Sequence, residues 1–108
     1  MAKASIAICS IIWHAAAKAG VEIFTQHFAA QVGPYRIRAN CIAPETIPTQ
    51  RNKRRIPEPR HSALCELHAL RRLGTSDDAA FAALYLASDH APWVAGVIFD
   101  VAGGAVTV

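Results

Sequence analysis

Apolar positions along this chain fall into short runs and into longer stretches with a helical period. Ser5 to Ser10 is a short, apolar, β-branched run. It predicts a buried parallel strand, although the start of a helix gives the same pattern. The stretch from about Ile12 to Gln31 predicts a helix that ends at Gly33-Pro34. Its apolar residues form two stripes, which predicts two buried faces: Ile12/Ala16/Ala19/Ile23 and Ala17/Val21/Phe24/Phe28.

The middle of the chain is a strand followed by a long irregular segment. Arg36 to Ala43 predicts a strand that Pro44 closes. Residues 45–70 are rich in proline and end in a possible short helix, Ser62–Leu70. Because loops of this length in compact domains are usually lids or binding loops, we expect 45–70 to be a lid or substrate loop.

The last third returns to a helix and a strand. Thr75-Ser76-Asp77-Asp78 is a good helix start, because it offers hydroxyl caps and acids in the first turn, and the helix then runs to Ala87. Val94 to Val101 predicts a second apolar strand. Strands and helices that alternate along the chain predict an α/β fold with a parallel sheet and flanking helices.

Composition narrows the class of protein. The chain has 108 residues, 53% hydrophobic and 18% charged, which is typical of one small folded domain and excludes disorder. The net charge of +3 is concentrated between Arg51 and Arg60. These basic residues could bind phosphate or RNA, but a proline-containing loop without interleaved aromatic residues favours a solvated segment, so we do not expect a nucleic-acid partner.

Cysteine and histidine usage predicts a reduced protein without a metal. The three cysteines are odd in number and lack CxxC spacing, and the histidines form no HxxxH or HExxH pattern. Residues 1–17 imitate a signal peptide, but the helical pattern continues past Ala17, so we expect the chain to stay in the cytoplasm. No apolar run approaches the ~20 residues that span a membrane.

His14 and Lys18 are the first candidates for chemistry. At four residues apart they share one face of the predicted helix, and Glu22 continues the series. The pattern fits either a solvated charged stripe or an acid/base group with a cation beside it. The sequence around His14, Lys18 and Glu22, taken alone, favours the solvated charged stripe.

Several motifs, in order, resemble the C-terminal half of a classical short-chain dehydrogenase/reductase. His14-Ala-Ala-Ala-Lys18 stands in the place of that family's Tyr-x-x-x-Lys. Ile37 to Pro44 resembles its I-R-V-N-x-I-x-P strand and turn. The remaining matches are Pro44-Glu45-Thr46-Ile47-Pro48-Thr49, Arg72-Leu73-Gly74-Thr75, Leu86-Ala87-Ser88-Asp89 and Gly96 to Gly104.

The resemblance implies a fold, an activity and a set of site residues. The fold is the C-terminal part of a Rossmann-like parallel sheet, incomplete, with residues 1–108 as one truncated domain. The activity is NAD(P)-dependent oxidoreduction of a small alcohol or carbonyl substrate. His14 stands for the catalytic tyrosine, Lys18 for the lysine that also holds the cofactor ribose, and Ser10 for the catalytic serine. Pro44, Ile47 and Thr49 correspond to the residues that hold the nicotinamide end.

The chain departs from the family pattern at the points that matter for catalysis. A neutral imidazole at His14 is a poor proton donor to a carbonyl oxygen. Only three residues separate Ser10 from His14, which would take Ser10 away from a substrate or onto the helix as its cap. Glu45 and Ala102 replace the family's glycine and aspartate. The family's first half, with its GxxxGxG loop for the pyrophosphate, is not in this sequence, so binding of NAD or NADP is in doubt.

Two hypotheses about function follow. The first is an NAD(P)-dependent oxidoreductase that is impaired or inactive as this chain. The alternative is a non-catalytic oligomerisation or interaction module, in which Ile47 and Thr49 are only lid residues. Under both we expect a homo-oligomer or pairing with another subunit, because apolar helix faces and a sheet edge lack cover. Asn40 is expected to be a structural hydrogen-bonding residue rather than a catalytic one.

Overall fold

A computed structural model describes residues 2–105, with the side chains of residues 12–105 except Arg55. It begins with a long helix, α1 (Ala2–Val32), followed by a 3-10 turn at Gly33–Tyr35. The predicted helix and its end are confirmed. The strand predicted at Ser5–Ser10 is wrong, and the helical alternative is right. A strand needs a neighbour for its N–H and C=O groups, whereas a helix pairs them within itself.

Two short strands form a parallel sheet, β1 (Cys41–Pro44) and β2 (Ile98–Val101). The Cys41 N–H donates to the Val97 carbonyl at 2.9 Å, and the Glu45 N–H donates to the Val101 carbonyl at 3.1 Å. Both partners advance by the same number of residues in the same direction, as parallel pairing requires. The α/β fold is therefore confirmed.

Both strands are shorter than predicted, and a left-handed residue lies ahead of each of them. Arg36, where the first strand was predicted to begin, has φ of 61° and ends the preceding 3-10 turn. Gly96 has φ of 72° and lies two residues before β2. A positive φ is incompatible with extended strand geometry, so neither Arg36 nor Gly96 is part of a strand.

The segment predicted as a loop contains a 3-10 turn at Lys53–Arg55 and a helix, α2 (Glu58–Leu67). This helix begins one turn earlier than the Ser62 start that the sequence predicted. Pro59 lies in its first turn, where the missing proline N–H has no intrahelical partner to lose. The proline residue therefore marks the start of α2 rather than interrupting it.

The third helix, α3 (Ser76–Ala87), begins where the sequence predicted, and a capping box starts it. The Asp78 N–H donates to the Thr75 hydroxyl at 3.2 Å, and the Thr75 N–H donates to the Asp78 carboxylate at 2.8 Å. The Arg72 guanidinium donates to both Asp78 oxygens, at 2.7 and 3.0 Å. The bonds from Arg72 and then Thr75 hold the pKa of Asp78 well below its usual range.

The described chain divides into two compact units. The first contains the chain up to Cys41 together with Val94–Val97, and the second contains Ile42–Trp93 and the chain from Ile98 onward. In the first, Ala29 is buried, and a Cβ on Gly96 would lie 3.5 Å from its methyl group. In the second, the buried apolar residues are Leu73, Ala82, Leu86 and Ala91.

The two apolar stripes of α1 are exposed, not buried as predicted. Among the described side chains of α1, only Thr25 and Ala29 are buried. Phe24 is 63% and Phe28 40% exposed, and their rings stack with centroids 5.3 Å apart. Ile12, Trp13, Val21 and Ile23 are more than half exposed. The helix therefore carries a large apolar surface without cover in this chain.

Gly104 and Gly20 should respond in opposite ways to replacement by alanine. A Cβ on Gly104 would lie 2.6 Å from the Ala69 methyl group, and its φ is 72°. We expect Gly104→Ala to lower the free energy of unfolding by about 1–3 kcal/mol. Gly20 lies inside α1 with open space around it, so Gly20→Ala should raise helix stability by about 0.5–1 kcal/mol. Urea unfolding followed by circular dichroism measures both, and equal effects would contradict the packing described.

The Arg72–Asp78 ion pair should make the free energy of unfolding depend on pH in the acidic range. The pKa of Asp78 is lower in the folded chain than in the unfolded chain, where it is near ~4. The ionised carboxylate therefore contributes fully to the free energy of unfolding above pH ~4, and this contribution is lost as the pH falls toward the folded pKa. We expect Asp78→Asn to be less stable than the natural chain near pH ~6, and the difference in free energy of unfolding to begin to narrow as the pH falls below ~4. The control is Asp77→Asn, in the same first turn but outside the capping box. A difference in stability between Asp78→Asn and the natural chain that does not change with pH would contradict the lowered pKa of Asp78.

Candidate functional site

The predicted catalytic residues lie in one column along α1. Ser10, His14 and Lys18 are spaced by four residues, so each lies one turn from the next. The expected position of Ser10 at the end of a strand is wrong, since the residue lies inside the helix, away from its start. The side chain of Ser10 is outside the described set. His14 and Lys18 are both exposed, so an imidazole and an ammonium face solvent one turn apart.

The predicted nicotinamide-end residues lie in a turn after β1 that Asn52 organises. Pro44 is the last residue of β1. The Asn52 side-chain amide donates to the Ile47 carbonyl at 3.0 Å, and its carbonyl oxygen accepts from the Thr49 N–H. The Thr49 carbonyl in turn accepts from the Asn52 N–H at 3.1 Å. One side chain therefore fixes both Ile47 and Thr49.

Gly74 holds the other side of this turn. Its N–H donates to the Thr46 carbonyl at 3.1 Å. A Cβ on Gly74 would lie 2.9 Å from Cγ1 of Ile47, so the close approach of the two segments requires glycine here. The turn from Pro44 to Thr49 is thus a built feature of the second unit, with its backbone bonded on two sides.

Asn40 has the structural role that the sequence predicted. Its amide nitrogen donates to the Val94 carbonyl at 3.0 Å, and its oxygen accepts from the Val97 N–H at 3.2 Å. The preceding residue, Ala39, accepts from the Gly96 N–H at 2.8 Å. Asn40 therefore ties the approach to β1 to the approach to β2 within the first unit, and both ends of its side chain are used.

A cavity of about 230 Å³ opens beside the start of the turn, within the second unit. Its walls carry three carboxylates and one guanidinium, those of Glu45, Asp78, Asp100 and Arg72.

His68 also lines this cavity and is buried, with 4% of its surface exposed. Its Nδ1 lies 2.7 Å from the Leu64 carbonyl oxygen. Because that carbonyl can only accept, Nδ1 carries the proton, and a neutral ring leaves Nε2 as an acceptor. Nε2 has no hydrogen-bond partner among the described residues.

The two sets of site residues belong to different units, and each has its own local geometry. His14 and Lys18 are part of the first unit, whereas Pro44, Ile47 and Thr49 are part of the second. The basic residues predicted as a solvated loop, Arg51, Lys53, Arg54 and Arg60, are exposed.

Neither a metal cluster nor a membrane span is found in the part of the chain that the structure describes. Among side chains 12–105 apart from residue 55, no three His, Cys, Asp or Glu residues lie together in a way that could hold a metal ion. No helix in the described range is both long enough and apolar enough to cross a membrane.

Asn52 is the site residue that the sequence analysis missed. It lies within the basic segment 51–60, and the charge of that segment predicts no role in a turn. The available signal was an asparagine three residues after Thr49, because asparagine side chains commonly bond to nearby backbone groups in turns. The burial of His68 has no such signal in the sequence, because it involves residues far along the chain: a Cβ on Gly103 would lie 3.5 Å from Cδ2 of the His68 ring.

Comparison with known proteins finds a matching family model and relatives that are named as reductases. The family model described as enoyl-(acyl carrier protein) reductase matches residues 1–106. The chain is 42% identical over 91 residues to the 3-oxoacyl-[acyl-carrier-protein] reductase FabG of Pseudomonas aeruginosa, covering 84% of this chain and 36% of that protein. It is 40% identical over 91 residues to a peroxisomal 2,4-dienoyl-CoA reductase of Rattus norvegicus, covering 82% and 31%. The chain thus spans about a third of the length of these relatives.

Solved structures with a similar fold agree with these sequence matches. A hydroxysteroid dehydrogenase from Escherichia coli superposes with a TM-score of 0.81 at 38% identity, covering 85% of this chain and 38% of that one. A 3-oxoacyl-[acyl-carrier protein] reductase from Brucella melitensis with bound NAD gives 0.73 at 39% identity, covering 83% and 32%. The motifs, the parallel strands and these matches lead to one conclusion: the chain belongs to the short-chain dehydrogenase/reductase family.

Proposed function

We propose that this chain carries the catalytic helix and the nicotinamide-end turn of an NAD(P)-dependent oxidoreductase of alcohols or carbonyls, with its chemistry impaired. The observation that carries the proposal is the column of Ser10, His14 and Lys18 on α1, at the spacing of consecutive helical turns. Relatives named for 3-oxoacyl and enoyl thioesters make acyl thioesters the substrate class to test first.

The cofactor fits this chain at one end only. Lys18 is exposed and available to ribose hydroxyls, and the turn that holds Ile47 and Thr49 is fixed by Asn52 and Gly74. The 108 residues contain no GxxxGxG loop for the pyrophosphate. When bound, the nicotinamide gives or takes the hydride. The residues of this chain would orient its nicotinamide end and handle the proton.

Proton transfer is the step that His14 would change. In its neutral form the imidazole accepts a proton through one nitrogen, so it can act as a base toward an alcohol. Reduction of a carbonyl needs a group that donates a proton to the developing alkoxide, and a neutral imidazole is poorly suited to this. We therefore propose that any residual activity favours alcohol oxidation over carbonyl reduction. We also propose that the chain is cytoplasmic, in keeping with Cys41 and Cys65, which form no disulfide.

Replacement of His14 by tyrosine tests the proposed chemistry. We expect the natural chain to oxidise NADPH or NADH with a 3-oxoacyl thioester at a rate near background, and His14→Tyr to raise the rate by at least about tenfold. The matched control is His14→Tyr combined with Lys18→Met, which should return the rate to background. Cofactor binding is followed separately by nicotinamide fluorescence. Rapid reduction of the 3-oxoacyl thioester by the natural chain would refute the proposed impairment. If neither the natural chain nor the variants bind the cofactor, the result favours the second candidate function, described next.

The second candidate function is an interaction module that self-associates through α1. Its support is the exposed apolar surface of that helix, on which Phe24 and Phe28 stack against each other. Two copies that pack these faces together would cover this apolar surface of α1. A homo-oligomer is compatible with both proposed functions.

Charge placed on the stacked phenylalanines tests self-association. We expect light scattering after size exclusion to show an oligomer for the natural chain, and Phe24→Glu to raise the dissociation constant at least about tenfold. A symmetric dimer loses two buried aromatic side chains, at about 1.5–3 kcal/mol each. Gln26→Glu adds the same charge to an exposed position of α1 and should leave association unchanged. A monomeric natural chain would rule out this module.

A further inference from the structure

Two cavities of the second unit lie side by side at the carboxyl ends of β1 and β2. The cavity of about 230 Å³ beside the turn and a further cavity of about 360 Å³ have Glu45, Asp100, Ala102 and Gly103 as common walls. Glu45 directly follows β1, and Asp100 lies in the second half of β2. In open α/β sheets, ligands bind outside the carboxyl ends of the strands, which is where these walls are.

The common walls carry two carboxylates without a cation. Asp78, the third carboxylate of the first cavity, is paired with Arg72 at 2.7 Å. Neither Glu45 nor Asp100 forms an ion pair with any side chain that the structure describes. Glu45 accepts from the Thr46 hydroxyl at 3.5 Å, which leaves its charge uncompensated. The walls of the two cavities therefore carry an excess of negative charge, which favours a cationic ligand.

His68 is a second observation, independent of the carboxylates, that indicates a ligand. Its buried side chain lines the first cavity. Nδ1 is used by the Leu64 carbonyl, and the other edge of the ring faces Gly103, where an added Cβ would lie 3.5 Å from Cδ2. Nε2 is bonded to Cδ2 and is an acceptor without a partner in the described part of the chain. Because a buried acceptor without a donor is unfavourable, a ligand that brings an N–H group would be stabilised here.

A molecule with two separate N–H groups fits these walls better than a metal ion does. Within the described residues, no three His, Cys, Asp or Glu side chains could hold one metal ion, so the imidazole and the two carboxylates do not converge on a point. Ala43, Pro44 and Ala105 line the second cavity and offer apolar surface to a short methylene chain. The walls thus combine negative charge, an unpaired acceptor and apolar surface.

We propose that this space binds a short aliphatic diamine. Its ammonium groups pair with the Glu45 and Asp100 carboxylates and donate a hydrogen bond to Nε2 of His68, and its methylene chain lies along the apolar walls. Glu45 stands where the family pattern has glycine, so this carboxylate is a feature of this chain. The inference rests on the carboxyl end of the sheet and does not depend on the proposed oxidoreductase activity.

Isothermal titration calorimetry with putrescine, a diamine with a four-carbon chain, tests the proposal. We expect the full chain at low ionic strength to bind putrescine saturably, with a dissociation constant of about 1 mM or lower. Butylamine has the same chain length and one ammonium group, and we expect it to bind at least about threefold more weakly. Equal affinity for the two amines, or no saturable binding of putrescine, would overturn the proposal.

Variants separate this site from general attraction of cations to the surface. We expect Asp100→Asn and Glu45→Gln each to raise the dissociation constant of putrescine about threefold, and the two together about tenfold. The matched control is Asp89→Asn, which removes the same charge from an exposed position of the second unit outside both cavities and should have no effect. The same dissociation constant in all of these variants would refute the site.

Replacement of His68 by phenylalanine tests the hydrogen bond to Nε2. The ring is kept and the acceptor is removed, so we expect His68→Phe to reduce the preference for putrescine over butylamine. An unchanged preference would refute the role of His68. If circular dichroism shows that this variant does not fold, the comparison of Asp100→Asn and Glu45→Gln with Asp89→Asn decides the question.

Discussion

A sheet of two four-residue strands can cover little apolar surface, and this constraint governs the rest of the molecule. A long amphipathic helix is stable when its apolar face packs on something, yet α1 buries few of its described side chains. The two strands pair their backbone groups with each other over a short length. The exposed apolar residues of α1 are therefore the surface through which we propose that the chain associates.

Local features were predictable from the sequence, and features that depend on distant partners were not. The capping box at Thr75 and Asp78 and the end of α1 at Gly33 follow from side chains within a few residues of each other. The run at Ser5–Ser10 is apolar enough for a strand, but its conformation depends on whether a neighbouring strand exists. Without one among these residues, the local hydrogen bonds of a helix prevail.

The candidate site shows the same division. The spacing of His14 and Lys18 was sufficient to place them one turn apart, and the family resemblance supplied Pro44, Ile47 and Thr49. What holds the last two, the Asn52 side chain and the close approach of Gly74, could not be derived from a motif. The contact between His61 and Cys65 follows from their spacing of four residues on α2.

The hydrogen bonds of Asn40 bear on the order in which this chain folds. They join residues 54 and 57 positions apart, so they cannot form until a long intervening segment has been organised. The turns of α1, by contrast, close within a few residues and need no distant partner. The helix should therefore appear in the first microseconds of folding and the parallel pairing long afterwards. During that interval the apolar stripes of α1 and the unpaired strand segments are open to other chains, and aggregation competes with sheet formation.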